Sequence, residues 1–204
     1  MNILLLTNNL PVAAPLLVWL QGQGETVTTW DKPLQPMLFA CGMVLAKTEI
    51  MISYNYKYII REDVLSLFSN HIINLHISLL PWNRGANPNF WSFIAGTPKG
   101  VTIHRVDSGL DTGDILLQKE VAFDEATETF SSSYAKLHEE IQALLRENWY
   151  AVKGSNLHAT PQTGNGSYHN MKQFLAFTQT YPLDWNENIS DYKRKYKLLN
   201  EGCM

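Results

Sequence analysis

Asn74-Leu75-His76-Ile77-Ser78-Leu79-Leu80-Pro81 is the stretch from which the rest of this 204-residue chain can be read. Ile72, Ile73, Leu75 and Ile77 make the run apolar and β-prone, and Pro81 stops it, so it reads as a strand. Alternate side chains of a strand share a face, which places Asn74, His76 and Ser78 together. Two such polar groups among apolar neighbours are costly to bury unless something uses them. A carboxylate is available from Ser108-Gly109-Leu110-Asp111-Thr112-Gly113-Asp114, a turn between the strand-like runs Val101–Val106 and Ile115–Gln118. The turn is expected to swing Asp111 back towards His76, so that amide, imidazole and carboxylate meet from distant segments. That is the content of an acyl-transfer site.

Composition sets the bounds. With 45% hydrophobic residues the chain suits one well-filled core that buries roughly 70% of the unfolded surface. Cys41 and Cys203 are far apart and show neither a disulfide framework nor zinc spacing, which fits a reducing, cytoplasmic setting. The start, Met1 to Leu6, lacks a basic flank and reads as a first strand, not a signal peptide. No run approaches the ~20 apolar residues of a membrane span, so no membrane partner is expected. A net charge of −3 with no basic cluster argues against a nucleic-acid partner. His71, His104, His138, His158 and His169 read as scattered structural or surface histidines, because neither H-E-x-x-H nor a Cys/His pair at ligand spacing occurs, and no metal is expected.

Along the chain, Ile3–Thr7, a helix over Ala13–Gln23 and Thr26–Trp30 give an opening β-α-β unit. The loop after the first strand has no G-x-G-x-x-G, so a nicotinamide cofactor is not expected. Met37–Leu45 suits a buried helix or strand, with Pro36 favouring a first helical turn. Ile50–Tyr54 is a strand followed by a loop rich in tyrosine, and Arg61–Phe68 is a short helix ended by Ser69-Asn70. Pro81, Gly85 and Pro88 break regular structure before a helix over Asn89–Ala95. Gly100–Val106 and Ile115–Phe123 form a hairpin-like pair around the Asp111 turn. Thr129–Tyr150 is the longest helix, with a core stripe of Leu137, Ile141, Leu144, Leu145 and Trp149. Beyond Gly154 the chain is polar and irregular, and Asp191–Leu199 reads as an amphipathic helix docked on the core or on a second copy of the chain. The expected fold is α/β: a Rossmann-like open, mostly parallel sheet with an antiparallel hairpin near the acid turn and a short C-terminal appendage. A catalytic domain over residues 1–154 and an extension of loop and short helices over 155–204 follow from this reading.

N-x-H-x-S-L-L-P, then R-G-x-x-P at Arg84-Gly85-Ala86-Asn87-Pro88, then L-D-T-G-D at Leu110–Asp114 is an ordered set that resembles the folate-dependent formyltransferases. The resemblance covers the middle of the chain, and its specificity lies in the combination. It implies that Asn74, His76 and Asp111 are the catalytic trio, with Asp114 supporting the turn, and that 10-formyltetrahydrofolate is the donor. It also implies donor-binding positions at Tyr54, Tyr56, Leu80, Val106 and Asp107. None of the trio is a good nucleophile for this reaction, so direct transfer is expected and Ser78 reads as a structural hydrogen-bonding residue.

For the acceptor, three relatives are compared. Glycinamide ribonucleotide formyltransferases resemble the chain in length but carry a Gly-rich loop after the first strand and L-D-G-G, where this chain has Asn8-Asn9-Leu10-Pro11 and L-D-T-G. Methionyl-tRNA formyltransferases share R-G-x-x-P and L-D-T-G-D but add a basic C-terminal domain. Ser53–Ile60, Leu80–Gly85, Pro98–His104 and Gly166–His169 are most similar to enzymes that formylate nucleotide-linked amino sugars for surface polysaccharide. The resemblance therefore implies an amino-sugar N-formyltransferase acting on small-molecule substrates, with Trp82, Asn83, Arg84, Lys99 and Tyr168 as candidate acceptor contacts. A hydrolase that releases formate from the same donor, and a silent folate-binding module, remain the readings from other classes.

Overall fold

The computed structural model describes residues 1–68 and 71–197. Its opening unit is β1 (Asn2–Leu6), α1 (Leu10–Gly22) and β2 (Thr26–Trp30). Helix α1 starts three residues earlier than expected, because Pro11 falls in its first turn, where a helix leaves backbone N–H groups unpaired in any case. Pro36 likewise opens a helical turn, but only a 3-10 turn over Pro36–Phe39. Gly42, at φ 81°, and exposed Met37, Met43 and Val44 show why an apolar run alone did not make a buried helix there.

The chain continues through β3 (Ile50–Ser53), α2 (Glu62–Leu65), β4 (Ile72–His76), β5 (Arg84–Gly85), α3 (Pro88–Ile94), β6 (Gly100–Arg105) and β7 (Ile115–Glu120). Helix α4 (Phe130–Glu147) follows, capped by Thr129, whose side chain accepts from the Ser132 N–H while the Ser132 side chain accepts from the Thr129 N–H. The expected long helix is broken at Asn148, beyond which α5 is Trp149–Lys153. The polar tail carries β8 (Tyr168–His169), α6 (Met171–Thr180) and α7 (Ile189–Lys195). The expected helix end at Leu198–Leu199 and the stop at Ser69-Asn70 lie outside the described residues, as does Cys203.

Six strands form one sheet in the order β2-β1-β3-β4-β6-β7, and β5 with β8 forms a second, two-stranded one. β1 runs parallel to both β2 and β3, and β3 to β4, with Ser53 beside Asn74. The fold is therefore α/β on a mostly parallel sheet, with the carboxyl ends of β1, β2, β3 and β4 along one edge. Val106 donates to the Ile72 carbonyl at 3.0 Å, which sets the end of β6 beside the start of β4. Arg105 donates to the Asp114 carbonyl at 2.9 Å, and Val121 to the Lys99 carbonyl at 2.9 Å, closing both ends of the antiparallel β6–β7 pair around the acid turn.

Two compact units partition the chain: Met1–His76 with Ile103–Asp114, and Ile77–Thr102 with the described residues from Ile115 onward. In the first, Leu4, Leu6, Leu34, Leu45, Met51, Ile60, Val64 and Ile72 make the core, with Trp30, Tyr56 and Val106 packed against it. In the second, Phe90 and Phe93 of α3 meet Phe130 of α4 and Ile189 and Tyr192 of α7. The edge-on contacts, such as Phe90 on Phe174 at 5.2 Å and Phe130 on Tyr192 at 5.3 Å, are the geometry aromatic rings prefer. α7 is thus docked on the core of its own unit.

His138, on the inner face of α4, is buried and lies edge-on to Tyr134 at 4.2 Å. Burial disfavours its charged form and lowers its pKa from 6.5 to about 4. The unfolded chain therefore takes up the proton first. The stabilisation is complete above about 6.5 and is lost as pH falls towards about 4, a change on the order of 3 kcal/mol. Urea unfolding of wild type and His138→Leu is expected to show that this component of acid destabilisation disappears in the variant.

Candidate active site

Every residue of the expected trio belongs to the first unit. Asn74 and His76 lie on one face of β4, two residues apart, as strand alternation requires. Asp111 reaches them from a turn in which its own backbone is left-handed, at φ 55°. That conformation costs an aspartate on the order of 1 kcal/mol and persists only where the surrounding turn enforces it.

The carboxylate of Asp111 is shared. Its Oδ2 lies 3.7 Å from His76 Nδ1, and its Oδ1 accepts from Asn74 Nδ2 at 3.2 Å. The same Oδ1 faces a second imidazole, His104 Nε2, at 3.6 Å. His104 Nε2 is also 3.1 Å from Asn74 Nδ2, and its Nδ1 donates to the Arg105 carbonyl at 2.7 Å. With Nδ1 donating to that carbonyl, Nε2 is left to accept from the Asn74 amide. Both Nδ2 hydrogens of Asn74 are then directed at protein acceptors, Nε2 of His104 and Oδ1 of Asp111. For Asn74 to donate to a substrate oxyanion, one of these two bonds must be exchanged for it.

His104, which reads from sequence as one of several scattered structural or surface histidines, is buried against the amide of Asn74. It is 2% exposed, on β6, thirty positions from Asn74, and only the antiparallel register of β6 with β4 brings the two together. The available signal was its place in the strand that leads directly into the acid turn. A carboxylate that faces the His76 imidazole and accepts from the Asn74 amide provides what an acyl transfer to an amine needs. The imidazole of His76 can take a proton through Nε2 while Nδ1 faces the carboxylate, and the amide can meet negative charge on a carbonyl oxygen.

The other expected residues divide by what their side chains already touch. In the first unit, Tyr54 is fully buried, and Tyr56 donates to the Lys32 carbonyl at 2.6 Å. Desolvation raises the Tyr56 hydroxyl to about 12, so it remains a neutral donor. Val106 packs on the core, and Asp107 accepts from within the acid turn. Ile59, in the loop that follows, is 76% exposed and offers an apolar surface. Outside the carboxyl ends of β1 and β2 a cleft of about 480 Å³ is lined by Asn8, Trp30, Asp31 and Lys57 among others. Asn8 braces it, donating to the Asp31 carbonyl at 2.8 Å and accepting from the Lys57 N–H at 2.9 Å. The buried indole N–H of Trp30 has no hydrogen-bond partner among the described residues. In the sequence Trp30 reads as the end of a strand, and Asn8 and Lys57 as loop residues.

In the second unit, Leu80 is buried, with its N–H on Thr102 Oγ1 at 3.1 Å. The Ser78 hydroxyl donates to the Trp82 carbonyl at 2.7 Å, a structural bond. Asn83 is fully buried, its amide on Thr97 Oγ1 at 2.7 Å. Arg84 donates through Nε and Nη2 to Gln162 Oε1, at 3.1 and 2.8 Å. The Lys99 ammonium sits over the Phe93 ring, 3.8 Å from Glu125, with burial lowering its pKa. Trp82 and Tyr168, 36% and 49% exposed, present aromatic surface, and β8 places Tyr168 beside Arg84. Among the described residues no group of three His, Cys, Asp or Glu is placed to hold a metal ion, and no helix is long and apolar enough to cross a membrane.

Comparison with known proteins bears on this geometry. The sequence model of the formyl transferase family matches residues 41–148. The formyltransferase PseJ from Anoxybacillus kamchatkensis, solved with UDP-4,6-dideoxy-4-formamido-L-AltNAc and tetrahydrofolate, is 36% identical. It superposes with a TM-score of 0.84 over 94% of this chain and 97% of that one. A dTDP-4-amino-4,6-dideoxyglucose formyltransferase of Mycobacterium tuberculosis is 29% identical over 195 residues, 92% of this chain and 80% of that protein. A methionyl-tRNA formyltransferase of Anaeromyxobacter sp. is 38% identical over 122 residues, which cover 58% of this chain. The match spans 39% of the length of that relative.

Proposed function

Because the chain belongs to the formyl transferase family, whose model covers residues 41–148, we propose that it moves a formyl group from 10-formyltetrahydrofolate to the amino group of a nucleotide-linked amino sugar. The observation that carries the chemistry is the Asp111 carboxylate, which faces His76 and accepts from Asn74. The similarity to PseJ over nearly the whole of both chains supports the acceptor class.

In this reading the sugar amine attacks the formyl carbon of the donor. The C–N bond forms as the carbonyl becomes an oxyanion, which takes an amide hydrogen of Asn74 released from Asp111. His76, oriented by Asp111, accepts the amine proton and returns it to the departing N10 of the folate as the old bond breaks. His104 holds the Asn74 amide, so that only one of its hydrogens is exchanged. Tyr56, Ile59, Val106 and Asp107 of the first unit are proposed to border the donor, with Tyr54 contributing a wall. Trp82 and Tyr168 of the second unit supply aromatic surface for the base of the acceptor. The reaction needs no metal, and cytoplasmic folate and sugar-nucleotide pools suit it.

Acceptor recognition is tested at Trp82. Trp82→Ala is expected to raise the KM for the sugar nucleotide about tenfold or more while changing that for the folate less than about twofold. Equal effects on both substrates would assign Trp82 to folding of its loop instead.

A further inference from the structure

The turn that carries Asp111 is fastened to itself through Asp107. Asp107 Oδ1 accepts from the Gly109 N–H at 3.1 Å and from the Thr112 hydroxyl at 2.7 Å. The second bond joins the two ends of the turn, from Thr112 back to Asp107. Gly109 has no side chain for a reason visible here: a Cβ on it would fall on the Thr112 side chain, which folds back across the turn. Gly113 is pressed against the Arg105 carbonyl in the same way, at the base of the turn where Arg105 donates to Asp114. Between these two closures lies Asp111, held at φ 55°. Its carboxylate must be placed well enough to serve Oδ1 and Oδ2 to different partners.

We propose that the Asp107–Thr112 hydrogen bond is a positioning clasp, which holds the left-handed backbone of Asp111 and so aims its carboxylate at His76 and Asn74. The inference rests on the reading of Asp111 as the carboxylate behind His76. It makes Thr112, whose hydroxyl is bound to Asp107, rather than the likewise exposed Ser108 or Leu110, the residue on which alignment depends. The clasp needs a hydroxyl at position 112, and a side chain of the same shape without one cannot replace it.

Thr112→Val removes the hydroxyl and keeps the β-branched shape, while Thr112→Ser keeps the hydroxyl. Thr112→Val is expected to lower kcat about tenfold, with KM for either substrate changed less than about twofold, since alignment of Asp111 matters in the transition state. Thr112→Ser is expected to restore kcat to within about threefold of wild type. Wild-type kcat in Thr112→Val, or a Thr112→Ser as slow as Thr112→Val, would overturn the proposal. Backbone relaxation of the Asp111 amide gives a reading that does not depend on turnover. An order parameter near about 0.85 in wild type is expected to fall below about 0.6 in both Thr112→Val and Asp107→Ala. An unchanged order parameter would overturn the clasp even for a protein found to transfer no formyl group, a result that would separately sink the functional reading.

Discussion

His76→Ala is expected to lower kcat for formyl transfer by about a thousandfold, within the range for loss of a positioned general acid–base group, while the protein remains folded. The side chain is 8% exposed and its ring faces Asp111 at 3.7 Å, so the loss removes both the proton acceptor and the group that the carboxylate orients. Asn74→Ala should cost about a hundredfold to a thousandfold, the price of one oxyanion donor. Urea or thermal unfolding checks that each variant keeps its fold, and near wild-type turnover in either would remove that residue from the mechanism.

Asp111→Asn is the second large effect. The replacement keeps the size of the side chain but presents an amide to His76, and in comparable sites the wrong partner behind a catalytic histidine costs up to about ten-thousandfold. Here the change reaches further, because Oδ1 of Asp111 also accepts from Asn74 and faces His104. An asparagine at 111 can satisfy one of these partners with its oxygen and must offer an N–H to another. We therefore expect a loss of about a hundredfold or more together with an altered pH–rate profile. A profile identical to wild type would contradict the role given to the carboxylate.

Strand alternation alone put Asn74 and His76 on one face, and their motif with L-D-T-G-D named the third member. Those are local properties, readable because a strand has a period of two and a turn declares itself by glycine. His104 was not legible in the same way. It sits on a strand of regular apolar pattern, and its place beside Asn74 depends on β6 running antiparallel beside β4, a register that no local pattern states. Asn83 and Lys99 were singled out for their chemistry and their place in the motifs, yet Asn83 is spent on Thr97 and Lys99 is drawn to Glu125. Which polar side chain is consumed inside the fold is a tertiary property. The polar tail illustrates the same limit: Tyr168–His169 pairs with Arg84–Gly85 across more than eighty residues, and Gly85 is required because a Cβ there would meet the His169 carbonyl. The helix over Met37–Leu45 failed for a local reason, since a short apolar run without a polar face does not say whether anything covers it.

The measurement closest to the central claim is a product-mass screen in which the purified chain is incubated with 10-formyltetrahydrofolate and a panel of nucleotide-linked amino sugars. The account predicts that at least one amino-sugar nucleotide gains the mass of a single formyl group, with release of tetrahydrofolate, and that His76→Ala abolishes the gain. Formylation of glycinamide ribonucleotide or methionyl-tRNA with no turnover of any amino-sugar nucleotide, or formate release without an amine, would contradict it.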